Sequence, residues 1–139
     1  MGEREARVIY EREQQTGNSR MELRLTEDWR MDLKISGEGS VEGTHRLLEA
    51  LEEALDAYPE APPLDSAVDL SELRKSPLRA QFIMGKWLMG RRGRVGRLAV
   101  YEGQPLEMKL ARAITRLARL DKVGFYEHRD DAMRWLERD

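Results

Sequence analysis

Residues 68–97 read VDLSELRKSPLRAQFIMGKWLMGRRGRVGR, and the fold is organised around this stretch. The apolar segment 67–70 predicts a short buried strand. Ser76-Pro77 is typical of a helix start, with Ser as N-cap and Pro at the first helical position. The run 78–89 then predicts a helix that ends at Gly90. A strand, a loop and a helix in this order indicate an α/β sheet.

The chain on either side repeats this alternation. Segments with the pattern of strands lie at 21–25, 29–35, 96–101 and 123–126. Helical stripes lie at 44–58, 106–118 and 130–136. The stripe of the second of these helices consists of Leu106, Leu110, Ala113, Ile114, Leu117 and Ala118. This order predicts an α/β fold with a mixed, partly parallel sheet of about five strands and about four helices.

The length of 139 residues predicts one domain, which we place at residues 21–139. Residues 1–20 are expected to add a strand or a flexible extension. The absence of Cys excludes disulfides, thiolate zinc sites and Cys nucleophiles. No apolar run reaches the roughly 20 residues that a transmembrane segment needs, and the charged start is unlike a signal peptide. We therefore expect a cytoplasmic protein without a transmembrane segment.

The net charge is only −2, but acidic and basic residues are segregated along the chain. Residues 38–65 contain eight acidic residues and one basic residue, whereas residues 66–100 contain eight basic and two acidic residues. Two interpretations remain open. The charges are either two solvated helix faces that offset one another, or a basic patch that meets an anionic partner.

Several segments together resemble the SpoIIAA-like group of STAS-type domains, which borders on the SEC14 type. They are MDLKISG at 31–37 before the acidic helix, VDLS at 68–71, RLAV at 97–100, VGFY at 123–126 and DAMRWL at 131–136. The resemblance covers about residues 21–137 and lies in the order and spacing of these segments. It implies a bacterial-type, non-catalytic regulatory module for protein–protein interaction. The SEC14 kinship implies an alternative, a carrier or sensor of a lipid or other small apolar anionic ligand.

The resemblance also implies a switch site in the loop after the central strand. Anti-sigma-factor antagonists of the STAS family carry Asp-Ser-Ser-Gly there, with a phosphorylated serine. Here the loop reads Lys75-Ser76-Pro77, so only the serine matches, and a plain N-cap also explains Ser76. Ser71 is the alternative serine of this loop. Asp69 ends the predicted strand, where open α/β sheets place ligands, or it caps the loop.

The predicted helix 78–89 has more apolar residues than one stripe can bury. We expect Phe82, Met84, Trp87 and Met89 to form a surface for a protein partner or for a second copy of the chain. The carrier hypothesis instead predicts a pocket beneath this helix, lined by Phe82, Trp87 and Leu88. Spare apolar surface together with acidic and basic helices favours a homodimer.

Basic residues cluster at the end of this helix and in the turn after it. They are Lys86, Arg91, Arg92, Arg94 and Arg97. As structure, they complement the dipole at the helix C-terminus. As function, they are candidates for binding an anionic group. Few aromatic residues lie near them, which argues against nucleic acid.

No pattern in the sequence indicates catalysis. Gly90, Gly93 and Gly96 follow a predicted helix and enter a strand, which is the reverse of a dinucleotide-binding motif. No nucleophile has an evident base beside it. We therefore predict a protein that is not an enzyme, with no catalytic residue, no metal site and no cofactor.

Overall fold

The structure, a computed structural model, describes residues 6–138. The strands are β1 Val8–Thr16, β2 Ser19–Thr26, β3 Arg30–Glu38, β4 Leu64–Asp69, β5 Leu73–Lys75, β6 Val95–Tyr101 and β7 Val123–Tyr126. The helices are α1 Val41–Ala57, α2 Leu78–Gly90, α3 Pro105–Leu117 and α4 Arg129–Leu136. A 3₁₀ turn at Arg92–Arg94 joins α2 to β6. Residues 1–5 of the expected extension and residue 139 lie outside the described residues.

The strands form one mixed sheet in the order β1-β2-β3-β4-β6-β7. Strands β1, β2 and β3 form an antiparallel meander, and β3, β4, β6 and β7 are parallel neighbours. The predicted mixed, partly parallel α/β fold is confirmed. Within residues 6–138 the sheet has seven strands instead of about five, because β1 adds an edge strand and the short β5 pairs with β3.

The helices cover both faces of the sheet. Helices α1, α2 and α3 each follow the end of a parallel strand, and successive right-handed crossovers in one direction place all three on the same face. Along β6, Leu98 and Val100 belong to the core on this face. The alternate residues Ala99 and Tyr101 pack with α4 on the other face.

Helix α1 shows how the local sequence determines an element. The Ser40 hydroxyl accepts a hydrogen bond from the Gly43 backbone N–H at 2.9 Å, which makes Ser40 the N-cap. The buried stripe of α1 packs against Leu23 and Leu25 of β2. Each fully buried leucine contributes roughly 1.5–3 kcal/mol, so docking on the sheet stabilises this helix.

The predicted N-cap at Ser76 is wrong. Pro77 occupies the N-cap position of α2, and no side chain among residues 6–138 caps the helix. The loop expected between the strand at 67–70 and the helix at 78–89 instead contains β5, where the Gly39 N–H donates to the Lys75 carbonyl at 2.8 Å. This pairing holds Ser76 close to Gly39, where a Cβ on Gly39 would lie 2.9 Å from the Ser76 Oγ. The chain therefore turns into the helix only after Pro77.

The predicted stripe of α3 is also wrong in part. Leu106 and Leu117 are 61% and 58% exposed, whereas Glu107, Ile114 and Thr115 are buried. A shift of one residue rotates a helix face by about 100°. Ile114 belongs to the predicted stripe and packs against Gly85 of α2, but the rest of the buried face lies on the Glu107 side of this stripe.

The helices within residues 6–138 fall short of the length and apolar character needed to cross a membrane.

Candidate functional site

A cavity of about 200 Å³ lies between the sheet and helices α1, α2 and α3. Its floor is the helix-covered face of the parallel strands, including Leu33, Val68 and Leu98. Its roof is α2, whose backbone packs between α1 and α3 and approaches the strands less closely. The space beneath α2 is therefore bounded by side chains from four directions, and most of these are apolar.

Glu107 is the acidic residue that lines this cavity among the described residues. It lies in the first turn of α3, is 3% exposed and lines the cavity. Its Oε1 has no hydrogen-bond partner among the described residues. Burial raises the pKa of the Glu107 carboxyl, because a charged group loses its hydration there. Buried polar groups are nearly always hydrogen-bonded, so an orphaned carboxyl oxygen in a cavity indicates a missing partner.

Two further polar atoms at this cavity lack a described partner. They are the Gln14 Oε1 and the Arg94 Nε. The other end of the Arg94 guanidinium is engaged, since its Nη2 donates to the Tyr58 carbonyl at 3.0 Å. The cavity is therefore mainly apolar, with a few polar atoms in its wall, which is the usual composition of a small-molecule site.

The residues of the predicted switch loop are not gathered into one site. The Asp69 carboxylate accepts a hydrogen bond from the Ser71 N–H at 2.8 Å, so Asp69 caps the loop. Ser71 is exposed, and Ser76 is half-buried and lines the cavity. A modification at Ser71 or Ser76 stays a prediction.

The apolar residues of α2 divide between two surfaces. Met84 and Trp87 line the cavity, together with Leu88. Phe82 and Met89 are 55% and 45% exposed on the outer side. The pocket predicted beneath this helix therefore has Trp87 and Leu88 in its wall, but Phe82 is absent from it because this side chain points away from the sheet.

Helices α1 and α2 are joined by a polar contact at the end of the cavity. The Arg91 guanidinium forms an ion pair with the Glu52 carboxylate at 2.7 Å, and the Trp87 indole N–H donates to the same carboxylate at 2.8 Å. The hydrogen bond from Arg91 is the main cause of the lowered pKa of Glu52, and Trp87 adds to it. The negative charge of Glu52 on α1 and the positive charge of Arg91 after α2 thus neutralise one another at this contact.

The other residues of the basic turn have separate environments. Arg97 lies over the Trp135 ring, and its Nη1 donates to the carbonyls of Trp135 and Arg138 at 2.9 and 2.6 Å. Arg97 therefore fastens the end of α4 to β6. Lys86 and Arg92 are exposed. Anion binding at these two residues stays a prediction.

Sequence reasoning missed Glu107. The sequence pattern that could have identified it is a helical spacing. Intervals of three or four residues separate Glu107, Ala111, Ile114 and Ala118. An acidic residue in phase with an apolar stripe indicates a buried carboxyl. The neighbouring stripe that contains Leu106 was equally regular and concealed this pattern.

The fold has a counterpart among solved structures. A crystal structure of an uncharacterized protein of the DUF3478 family with a SpoIIAA-like fold, from Shewanella loihica PV-4, is similar over 98% of both chains. The TM-score is 0.62 and the sequence identity is 19%. This similarity shows that the chain has a SpoIIAA-like fold. The comparisons with protein-family models and with curated proteins found no match.

Proposed function

We propose that this protein is a non-catalytic binding module that holds a small apolar ligand in the cavity beneath α2. The observation that carries the proposal is the cavity itself, about 200 Å³ in volume between the parallel strands and three helices. Well-packed domains contain few voids larger than a water molecule. A space of this size under one helix, lined mainly by apolar side chains, is therefore unusual for a core that serves only stability.

The volume limits the size of the ligand. An apolar cavity of roughly 150 Å³ accommodates benzene, and drug-sized ligands occupy roughly 300–1,000 Å³. The cavity here fits a single aromatic ring or a short alkyl chain. A whole lipid chain of the kind implied by SEC14 kinship would require α2 to move outward.

Toluene is a suitable probe for this proposal. We expect the melting temperature to rise with toluene concentration, because a ligand that binds only the folded state adds RT ln(1 + [L]/Kd) to stability. The variant Ala111→Leu places a larger side chain in the cavity wall and should abolish this stabilisation. Thermal unfolding and NMR titration with toluene would measure both effects.

The variant Ala113→Leu is the matched control, since Ala113 is exposed on the same helix. It should bind toluene as the wild type does. Native mass spectrometry of the purified protein would also detect a ligand that copurifies. Equal toluene binding by the wild type and Ala111→Leu, or no saturable binding by the wild type, would contradict the proposal.

A second candidate function is protein–protein interaction through an exposed apolar surface. The α2–α3 stripe consists of Leu78, Phe82, Met89, Leu106 and Leu117, all of them exposed large apolar residues. On α2 these residues lie four and seven positions apart, and therefore on one side of the helix. Contiguous apolar surface often marks an interaction site, and a second copy of the chain is the partner that we propose.

Sedimentation velocity over a range of protein concentrations tests this second candidate. We expect the wild type to dimerise and the double variant Phe82→Glu/Leu106→Glu to remain monomeric, because each buried carboxylate would face apolar surface. The variant Arg79→Glu is the control, since Arg79 is exposed on α2 outside the stripe. A wild-type protein that stays monomeric at the highest concentration would refute self-association through this stripe.

A further inference from the structure

Among the described residues that line the cavity, Glu107 is the single acidic one, and three arginines are the basic ones. Glu107 is only 3% exposed, and its Oε1 has no hydrogen-bond partner in the described part of the chain. Burial of a carboxyl group without a partner is costly, so this oxygen is a place where a ligand gains binding energy.

The arginines do not supply the missing partner. Arg46 lies 3.7 Å from Glu49, Arg91 pairs with Glu52 at 2.7 Å, and Arg94 donates to the Tyr58 carbonyl. Arg91 and Arg94 are also remote from Glu107. Helices α2 and α3 run in the same direction and meet where Gly85 contacts Ile114.

The helix rise gives the separation between the two ends. Glu107 precedes Ile114 by seven residues, and Arg91 follows Gly85 by six, so at about 1.5 Å per residue the two side chains lie roughly 20 Å apart along the helices. A ring-sized ligand beside Glu107 therefore meets a carboxyl and apolar walls, with Arg91 and Arg94 at the opposite end of the cavity.

We propose that the cavity selects a small apolar amine whose ammonium group pairs with the Glu107 carboxylate; this inference rests on the proposed function. An ammonium group donates a charge-assisted hydrogen bond to the orphaned oxygen and neutralises the buried charge. A neutral alcohol satisfies the hydrogen bond but leaves the charge uncompensated. A carboxylate ligand places a second negative charge beside the first and is disfavoured.

Four ring-sized probes separate these cases. They are toluene, benzyl alcohol, benzoate and benzylamine, which is a cation at neutral pH. Isothermal titration calorimetry of the full chain should give the tightest binding for benzylamine and the weakest for benzoate. In Glu107→Gln we expect benzylamine affinity to fall about thirtyfold or more, because one partner of a buried charge pair is lost. Toluene affinity should change less than about threefold.

The control Glu127→Gln removes the same charge from an exposed position outside the cavity, and it should leave all four affinities unchanged. The order of affinities in the wild type tests the inference even if Glu107→Gln fails to fold. If benzylamine binds no tighter than toluene, Glu107 gains nothing from an ammonium group and the inference is overturned. Tighter binding of benzoate would also overturn it. In both cases toluene binding would persist, whereas loss of all binding, including toluene, would overturn the proposed function as well.

Discussion

Replacement of Gly37 by alanine is expected to lower the free energy of unfolding by about 2–5 kcal/mol. Gly37 has φ 80°, a conformation that costs a residue with a Cβ roughly 1–2 kcal/mol. In addition, a Cβ at this position would collide with the backbone carbonyl oxygen of Asn18. Overpacking costs a further 1–3 kcal/mol, roughly, because the backbone must shift. Urea unfolding monitored by circular dichroism would measure the change.

Gly17→Ala is a matched control for this prediction. Gly17 also has a positive φ, 60°, but a Cβ there would meet no atom of the described part of the chain within 4 Å. It should therefore lose only the conformational contribution, about 1–2 kcal/mol. Equal losses for the two variants would show that β2 and β3 separate easily at Asn18, and that the collision contributes nothing.

Replacement of Glu107 by methionine is expected to raise the free energy of unfolding by about 1–3 kcal/mol at pH 8. Methionine has a similar length and removes a buried carboxyl group that lacks a described partner. The exposed Glu127 provides the control, since Glu127→Met should change stability by less than about 0.5 kcal/mol. Chemical unfolding of both variants and the wild type over a series of pH values would measure the effect.

The raised pKa of Glu107 determines how the free energy of unfolding changes with pH. Burial raises the pKa of Glu107 above the ordinary value of 4.5. Between these two pKa values the folded protein binds more protons than the unfolded chain, so stability falls as pH rises. The contribution of Glu107 is fully present below the ordinary pKa and is lost as pH rises through the folded-state pKa. Glu107→Met should lack this loss, and a stability difference that does not grow with pH would contradict the prediction.

The elements that could be predicted from the sequence are those determined by local chemistry. Alternating apolar residues predicted β2 and β3, and the apolar stripe at 44–58 predicted most of α1. The order of strands and helices was sufficient for a partly parallel α/β sheet. Each of these inferences depends on residues close together in the chain, so no knowledge of tertiary packing was needed.

The remaining features depend on contacts between distant residues. Ser76 is a good N-cap by its type, but the pairing of β5 with β3 places it beside Gly39 instead. The two stripes of α3 share Ile114 and Ala118, and packing against α2 and the sheet buries the stripe that contains Glu107 instead of the one that contains Leu106. The burial of Glu107 follows from the orientation of α3, which only the tertiary structure gives. Propensity therefore could not locate the candidate site.

The position of α2 has a consequence for the kinetics of binding. This helix packs between α1 and α3 and covers the cavity, while the sheet is held by its own ladder of backbone hydrogen bonds. The cavity is partly open to solvent, and a local opening of α2 would widen it without breaking any pair of strands. Such sub-global openings require less free energy than complete unfolding. Residence time would then depend on how firmly the Glu52–Arg91 contact and the α2–α3 packing hold one helix in place.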